Sequence, residues 1–294
     1  MSWHSGLRAK ILFDEPLSKH TTLRVGPKAR LWIEPYDVKA LRSALRQAQT
    51  NKKGYLVIGF GSKLLIKKKK IPLAIHLGSA NFKRCVARGT DIIAGAGVAL
   101  PKLISTAYEH NLGGLEFLAG IPATVGGAVM LNAGVSWPKR IELGSFVSGL
   151  EVMDRNGKVI SLGRQDLAFG YRSSNLKDYI ILGVKFSLGK RKKRVIKSRM
   201  QRFRDYRLKT QGSRLHSAGC IFKNPGAESS GRLIDLCGLK GRRIGDALIS
   251  DKHANFIVNQ GKASAADILA LMRLTQEEVK KRFKVNLEPE IEVI

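Results

Sequence analysis

Acidic residues are scarce in this 294-residue chain: 23 aspartates and glutamates stand against 52 lysines and arginines, a formal net charge of +29 at pH 7. Such an imbalance implies anionic partners, but it does not choose among nucleic acid, anionic lipid and phosphorylated small molecules. Cysteine is sparse as well. Cys85, Cys220 and Cys237 are an odd number at irregular spacing with no Cys-x-x-Cys pair, which argues against a disulfide framework and a zinc site and makes a reducing compartment the simpler home. No apolar run suits a lipid-facing helix. The longest uncharged stretch, Phe117 to Pro138, holds Pro122, Pro138, four glycines and Asn132, and reads as a buried glycine-rich loop region. An apolar secretory core is also missing, since His4, Arg8 and Lys10 soon meet Asp14 and Glu15. A cytoplasmic protein without membrane insertion and without a metal site is expected.

What is present is ordinary globular material, 44% hydrophobic and 26% charged, in a length that suits two or three domains. Ala29 to Glu34 reads as a strand, and Asp37 can cap a helix carrying Val38, Leu41, Leu45 and Ala48. Tyr55 to Ile58 is a short strand running into Gly59-Phe60-Gly61-Ser62. Further strands are expected at Leu73–Leu77, Cys85–Ala87 and Asp91–Ala94, with a helix over Leu100–His110. Leu150–Met153 and Lys158–Leu162 flank Arg155-Asn156-Gly157, a hairpin signal because Asn-Gly accepts positive φ. After a strand at Tyr179–Leu188, the segment Lys185 to Arg214 carries thirteen basic residues and one acidic, Asp205, and reads as solvated surface or flexible linker and as the main domain boundary. Beyond it, Arg232–Cys237 is a short helix stopped by Gly238, and Ser264 with Asp267 makes a capping box for a long helix. The fold class is α+β, a mixed N-terminal half with a separate C-terminal lobe.

Three glycine turns stand within about seventy residues: Gly59-x-Gly61-Ser62, Gly95-x-Gly97 and Gly120-Ile121-Pro122-Ala123-Thr124-Val125-Gly126-Gly127. Singly each fits an ordinary tight turn; together they point to an extended pyrophosphate approached by backbone N–H groups. None matches the Rossmann or P-loop spacing. Tyr171-Arg172 can hold a carboxylate, or be surface. In Ser217-Ala-Gly-Cys220-Ile-Phe-Lys223-Asn224-Pro225 a thiol lies near a cation and an amide, so Cys220 is either an acid or nucleophile or an inert buried side chain. Cys237 reads as inert and buried, and His253 as structural. Glu290, in Leu287-Glu-Pro-Glu-Ile291, would ordinarily be surface charge.

These segments, with His20-Thr-Thr-Leu-Arg-Val-Gly26, Gly114-Leu-Glu, Asn132-Ala-Gly134, Tyr171-Arg-Ser-Ser174 and Lys252-His-Ala-Asn-Phe-Ile-Val-Asn259, occur in an order that resembles the UDP-N-acetylenolpyruvoylglucosamine reductase family over nearly the whole chain. The resemblance implies an FAD-binding fold of the vanillyl-alcohol-oxidase type with a C-terminal α/β substrate lobe, in the shorter form of the family. Residues 1–78 and 79–195 would be two FAD-binding subdomains, 196–285 the substrate domain, and 286–294 could return to the second subdomain. Gly59, Phe60, Gly61, Ser62, Gly120, Ile121, Pro122, Ala123, Thr124 and Val125 would lie at the FAD pyrophosphate and its neighbourhood. NADPH would donate the hydride, passed from flavin N5 to C3 of the enolpyruvyl group in peptidoglycan synthesis. Cys220 would then protonate C2, Arg172 and Glu290 would sit by the carboxylate, and Tyr171, Lys223 and Asn224 would bind the UDP-sugar substrate. The chain departs from the family pattern at Pro27, Lys63 and Gly212; Lys63 would add a cation beside the pyrophosphate. A monomer is expected. Two alternatives are a nucleic-acid-binding protein on a flavoprotein-like fold and a flavin oxidase of another alcohol. The first is disfavoured by the few aromatics near the basic run, Phe203 and Tyr206, and the second by Tyr171-Arg172 occurring together with Cys220.

Overall fold

The computed structural model describes residues 4, 6–212, 216–226 and 228–294; Arg214, the expected end of the basic segment, lies outside them. Two compact units form. One contains the residues up to Asp14, Arg30–Gly59 and Ile71–Tyr206; the other contains Glu15–Ala29, Phe60–Lys70 and Arg207–Ile294. Each has its own apolar core.

In the first unit, the chemistry of helix ends and strand alternation accounts for most elements. A four-stranded sheet has the order Ala9–Pro16, Lys28–Pro35, Ile71–Ile75, Tyr55–Val57, the last two parallel. Helix α1, Val38–Thr50, starts where the Asp37 carboxylate accepts the Ala40 N–H at 2.7 Å. It buries Leu41, Ala44, Leu45 and Ala48 at helical spacing. A five-stranded antiparallel sheet follows, ordered Val159–Gly163, Val147–Met153, Ile180–Ser187, Asp91–Gly95, Cys85–Arg88. Helix α2, Leu100–Glu109, contributes Leu103, Ile104 and Ala107 to the same core.

One local expectation forms and two change. The hairpin signalled by Arg155-Asn156-Gly157 pairs Val147–Met153 with Val159–Gly163. Gly157 takes positive φ, at +80°, and the Asp154 carboxylate accepts the N–H groups of Asn156 and Lys158 at 2.9 and 2.8 Å, so an Asx side chain organises the turn. The uncharged stretch Phe117–Pro138 is not all loop: Val125–Met130 form helix α3, capped by the Thr124 hydroxyl accepting from Gly127 N–H at 3.3 Å. And the basic segment is no linker. Lys193–Gln211 form helix α4, because Ile196, Met200 and Phe203 recur at i, i+4, i+7: Ile196 is buried, and Met200 and Phe203 pack into the first unit's core while the charged faces stay in solvent. Gly212 follows it at φ +82°, the left-handed conformation glycine supplies after a helix.

In the second unit, an antiparallel sheet runs Ser217–Cys220, Phe256–Asn259, Ala247–Ile249, Arg243–Ile244, with helices α5, Ser230–Leu236, and α6, Ala265–Phe283. The Ser264–Asp267 capping box forms reciprocally, at 3.1 and 2.8 Å. Cys237 is half-buried at the C-cap of α5 rather than inside the core, since α5 is short and Gly238 turns the chain at φ +71°. The end of the chain, expected to return to 79–195, instead pairs Glu292–Val293 in parallel with Leu64–Leu65. Among the described residues no helix is long and apolar enough to cross a membrane.

The segment Lys252–Asn259 is a polar clamp inside this unit. Asn255 accepts Phe222 N–H at 2.9 Å and donates to Phe222 C=O at 2.8 Å, and Asn259 donates to Leu23 C=O at 2.9 Å while accepting from Gly261 and Ala263. Both are buried, so their amides replace the ladder partners those backbones would otherwise lack. His253 contributes through its backbone, to Ser250 and Phe256, and its ring packs on Phe256 with 4.5 Å between centroids. Its Nδ1 is buried and has no hydrogen-bond partner among the described residues. Burial, with Lys240 acting in the same direction, holds the imidazole below its ordinary value of about 6.5. The unfolded chain therefore binds the proton more tightly, and stability is lost as pH falls below about 6.5 toward the lower folded value. His253→Gln should have a smaller fall in Tm between pH 7.5 and pH 5 than the parent; an equal fall would assign the acid sensitivity to other groups.

Candidate active site

In the first unit, the first and third glycine turns meet. A Cβ on Gly59 would stand 2.5 Å from the Thr124 hydroxyl, so the strand end at Tyr55–Val57 can approach the start of α3 only without a side chain there. Gly120 takes φ +84°, and Ile121 and Ala123 close the turn on Leu118 and Ile121 carbonyls at 2.9 and 3.1 Å. Ala123, Thr124 and Val125 are buried, Ile121 is half-buried and Pro122 is exposed. The middle turn has a different task from the one its glycines suggested. Gly95, Gly97 and Val98 spend their N–H groups on Arg84, Phe82 and Gly95 carbonyls, and the carbonyls of Ala96 and Val98 accept the N–H groups of Gly126 and Val125 at 2.9 and 2.8 Å. It is the scaffold under α3, not an anion nest, because its donors are already satisfied.

Tyr171 and Arg172 occupy the tip of a two-residue hairpin whose strands pair Phe169 with Ser174 and Gly170 with Ser173. Arg172 has φ +54°, a conformation that costs a non-glycine residue about 1 kcal/mol or more and is held here by its surroundings. Those surroundings are the Asn132-Ala-Gly134 segment. Asn132 donates to Gly170 C=O at 2.8 Å, Ser174 donates to Met130 C=O at 2.7 Å, and the Arg172 guanidinium donates to Gly134 C=O at 3.0 Å. The Tyr171 ring lies under two guanidiniums, 4.4 Å from that of Arg140 and 5.2 Å from that of Arg172.

In the second unit, Gly61 turns at φ +59° directly over the His20 carbonyl, where any Cβ would collide. Its own carbonyl accepts Thr22 N–H at 3.3 Å, and the Thr22 hydroxyl beside it is buried with no hydrogen-bond partner among the described residues. A buried orphan donor next to a glycine turn is what an anionic group would satisfy, so these residues fit a pyrophosphate. Phe60 is exposed and Ser62 half-buried. Cys220 and Glu290 are brought together here. Glu290 N–H donates to Ile221 C=O at 2.7 Å, and the Lys63 ammonium lies 2.7 Å from both the Glu290 carboxylate and the Cys220 carbonyl. The Glu290 side chain is only 7% exposed, so it is not the surface charge that its local sequence suggests. Lys223 N–H donates to Glu288 C=O at 2.8 Å, and Asn224 accepts both the backbone N–H and the hydroxyl of Ser230 at 3.1 and 3.0 Å, tying it to the start of α5. Among the described residues no group of three or more His, Cys, Asp or Glu could hold a metal ion.

Comparison with known proteins decides what this constellation belongs to. Residues 211–294 match the UDP-N-acetylenolpyruvoylglucosamine reductase C-terminal domain, and residues 29–163 match an FAD binding domain. The chain is 36% identical over 304 residues to UDP-N-acetylenolpyruvoylglucosamine reductase from Desulfosudis oleivorans, covering 98% of this chain and 95% of that one. The corresponding protein of Halalkalibacterium halodurans is 36% identical, covering 97% and 94%. A solved UDP-N-acetylenolpyruvylglucosamine reductase from Thermus caldophilus superposes with TM-score 0.82 at 38% identity, covering 97% and 98%. The chain belongs to the UDP-N-acetylenolpyruvoylglucosamine reductase family. At 13% identity and TM-score 0.51, 6-hydroxy-D-nicotine oxidase from Arthrobacter nicotinovorans shares the fold over 63% of this chain, in line with the fold class expected from the family resemblance. Two contributors escaped the sequence reading. Thr22 has no role of its own within His20–Gly26, and Lys63 stands in the sequence only as a departure in the flavin loop, where an added cation is tolerable; its ammonium contacts the Glu290 carboxylate and the Cys220 carbonyl.

Proposed function

We propose that this chain reduces the enolpyruvyl group of UDP-N-acetylglucosamine enolpyruvate to the lactyl ether of UDP-N-acetylmuramate, an oxidoreductase step of peptidoglycan synthesis that uses NADPH and FAD. The observation that supports it most is the buried Glu290 beside the Cys220 strand, in a chain that is alike end to end to a solved reductase. FAD, when bound, supplies the hydride that C3 receives. Gly59 to Ser62 and Gly120 to Val125 would hold it, with Thr22 donating to the pyrophosphate. Residues 1–78 and 79–195 would serve the flavin and 196–285 the substrate.

The remaining chemistry falls to side chains. The Arg172 guanidinium grips the substrate carboxylate and favours the enolate character that grows as C3 becomes a methyl group, with Glu290 beside that carboxylate. The Cys220 Sγ–H bond breaks as its proton passes to C2, and the thiolate recovers a proton from solvent. Two electrons and one hydrogen thus come from NADPH and the second hydrogen arrives through Cys220. Tyr171, Lys223 and Asn224 bind the sugar nucleotide. We read the chain as a cytoplasmic monomer that neither inserts into membranes nor serves nucleic acid; the thiol inventory supports the reducing compartment, and the few aromatics near the basic segment speak against nucleic acid.

Purified protein should be yellow or take up added FAD, its absorbance should bleach with NADPH, and the enolpyruvyl nucleotide should restore it. Folded protein that neither carries nor takes up FAD would sink the reading, as would a flavin that NADPH reduces but the enolpyruvyl nucleotide never reoxidises.

A further inference from the structure

We propose that Lys63 is a positioning residue for the proton-transfer step: its single ammonium group fixes the Glu290 carboxylate and the Cys220 main chain together. The inference rests on the roles given above to Cys220 and Glu290. Its basis is a junction of three segments that are remote in sequence. Lys63 and Cys220 are 157 positions apart, yet the Lys63 Nζ donates to Cys220 C=O at 2.7 Å, and it stands 2.7 Å from Glu290 Oε1. The lysine is anchored at its backbone too, where its carbonyl accepts Glu292 N–H at 2.8 Å just before the parallel pairing of Leu64 with Glu292. Glu290 is anchored by its N–H on Ile221 at 2.7 Å, and Phe222 forms a bridge with Pro289. A long, flexible lysine stem is thus held at both ends, and its side chain is 23% exposed.

The arrangement answers an electrostatic problem of the proposed step. A carboxylate as enclosed as Glu290 opposes the negative charge that appears on the Cys220 sulfur when its proton leaves. An ammonium bonded to that carboxylate cancels the opposition, and because it is also bonded to the carbonyl of Cys220 it places positive charge by the residue that becomes an anion. Without Lys63 that compensation is gone, and the thiol would be a poorer acid. A cation serving only the pyrophosphate would not need either contact.

The test uses the holoenzyme carrying Lys63→Met, similar in length but neutral, and Lys63→Arg, which keeps the charge. Lys63→Met should retain FAD and be reduced by NADPH at the parent rate. Its reoxidation by the enolpyruvyl nucleotide should slow several-fold to about 10-fold, since a weaker acid slows proton transfer by less than its full loss of acidity. Alkylation of Cys220 by iodoacetamide at pH 7.5, mapped by mass spectrometry with Cys85 and Cys237 as internal references, should slow several-fold. Lys63→Arg should recover most of both rates. Parent-like reoxidation and alkylation in Lys63→Met would overturn the proposal, and so would loss of FAD from that variant, which would return Lys63 to the pyrophosphate. If Lys63→Met does not fold, Lys63→Gln is read in the same way; failure of every neutral residue at 63 to fold would make the role structural and overturn the inference. Failure of the underlying reading is separate: it would appear as an unslowed oxidative half-reaction in Cys220→Ala, whatever Lys63 does.

Discussion

Alanine in place of Cys220 should leave the flavin reducible by NADPH at the parent rate and slow its reoxidation by the enolpyruvyl nucleotide by roughly 10²- to 10⁴-fold, the loss typical of removing a general acid. The asymmetry is the point. Delivering a hydride to the flavin needs no acid from the protein, whereas the product needs a proton at C2. Cys220 ends the strand Ser217–Cys220, where the pairing with Phe256–Asn259 shifts register and Gly219 takes φ +70°, so the backbone departs from regular pleating directly before the thiol. An irregularity there would be hard to explain for a side chain that only filled space. Cys220→Ser should keep measurable activity, since a hydroxyl in the same place remains a donor although a weaker acid. If Cys220 merely packs near the buried Phe222, alanine would lower Tm and leave both half-reactions alone. Stopped-flow absorbance on the folded variant separates the two accounts.

Local chemistry made some elements legible and hid others. Asp37 and the Ser264–Asp267 pair could be read because a cap is decided within four residues, and the structure forms both. Helix α3 could not. Its six residues include Gly126 and Gly127, poor helix formers, and it exists because Thr124 caps it and the Ala96 and Val98 carbonyls take its first N–H groups. Those partners are tertiary. In α4 the abundance of charge concealed a sparse stripe of buried Ile196 with Met200 and Phe203, the last two packed into the first unit's core. A reading weighted by charge sees a linker; one weighted by periodicity sees the helix.

For the candidate site the limit was sequence distance. Glycines at 59 and 120 mark turns, but nothing local says that Gly59 faces Thr124 or that Gly95–Val98 is consumed as scaffold. Glu290 looks like surface charge until the carboxyl-terminal strand pairs with Leu64–Leu65 and carries it beside Cys220. Family resemblance supplied the names of these residues; the contacts that give them a physical reason, Lys63 above all, come from the fold.

Arg172→Lys should lower kcat/KM by roughly 10- to 150-fold, the equivalent of about 1.5–3 kcal/mol for a charge-assisted hydrogen bond. Lysine keeps the positive charge, so a purely electrostatic role would be spared. What it lacks is the planar fork that meets both oxygens of a carboxylate. The structure shows the fork already oriented, one nitrogen on Gly134 C=O at 3.0 Å and the plane near the Tyr171 ring, so the guanidinium loses little freedom when a carboxylate arrives. The backbone offers an independent check. Arg172 sits at φ +54°, where glycine is at ease, so Arg172→Gly should fold with a Tm equal to or above that of the parent while losing more activity than the lysine variant. Stability kept and turnover lost would mean that the strained conformation is maintained for the side chain it presents. Parent-like turnover in Arg172→Lys would place this arginine outside the reacting site and leave the substrate carboxylate to another cation.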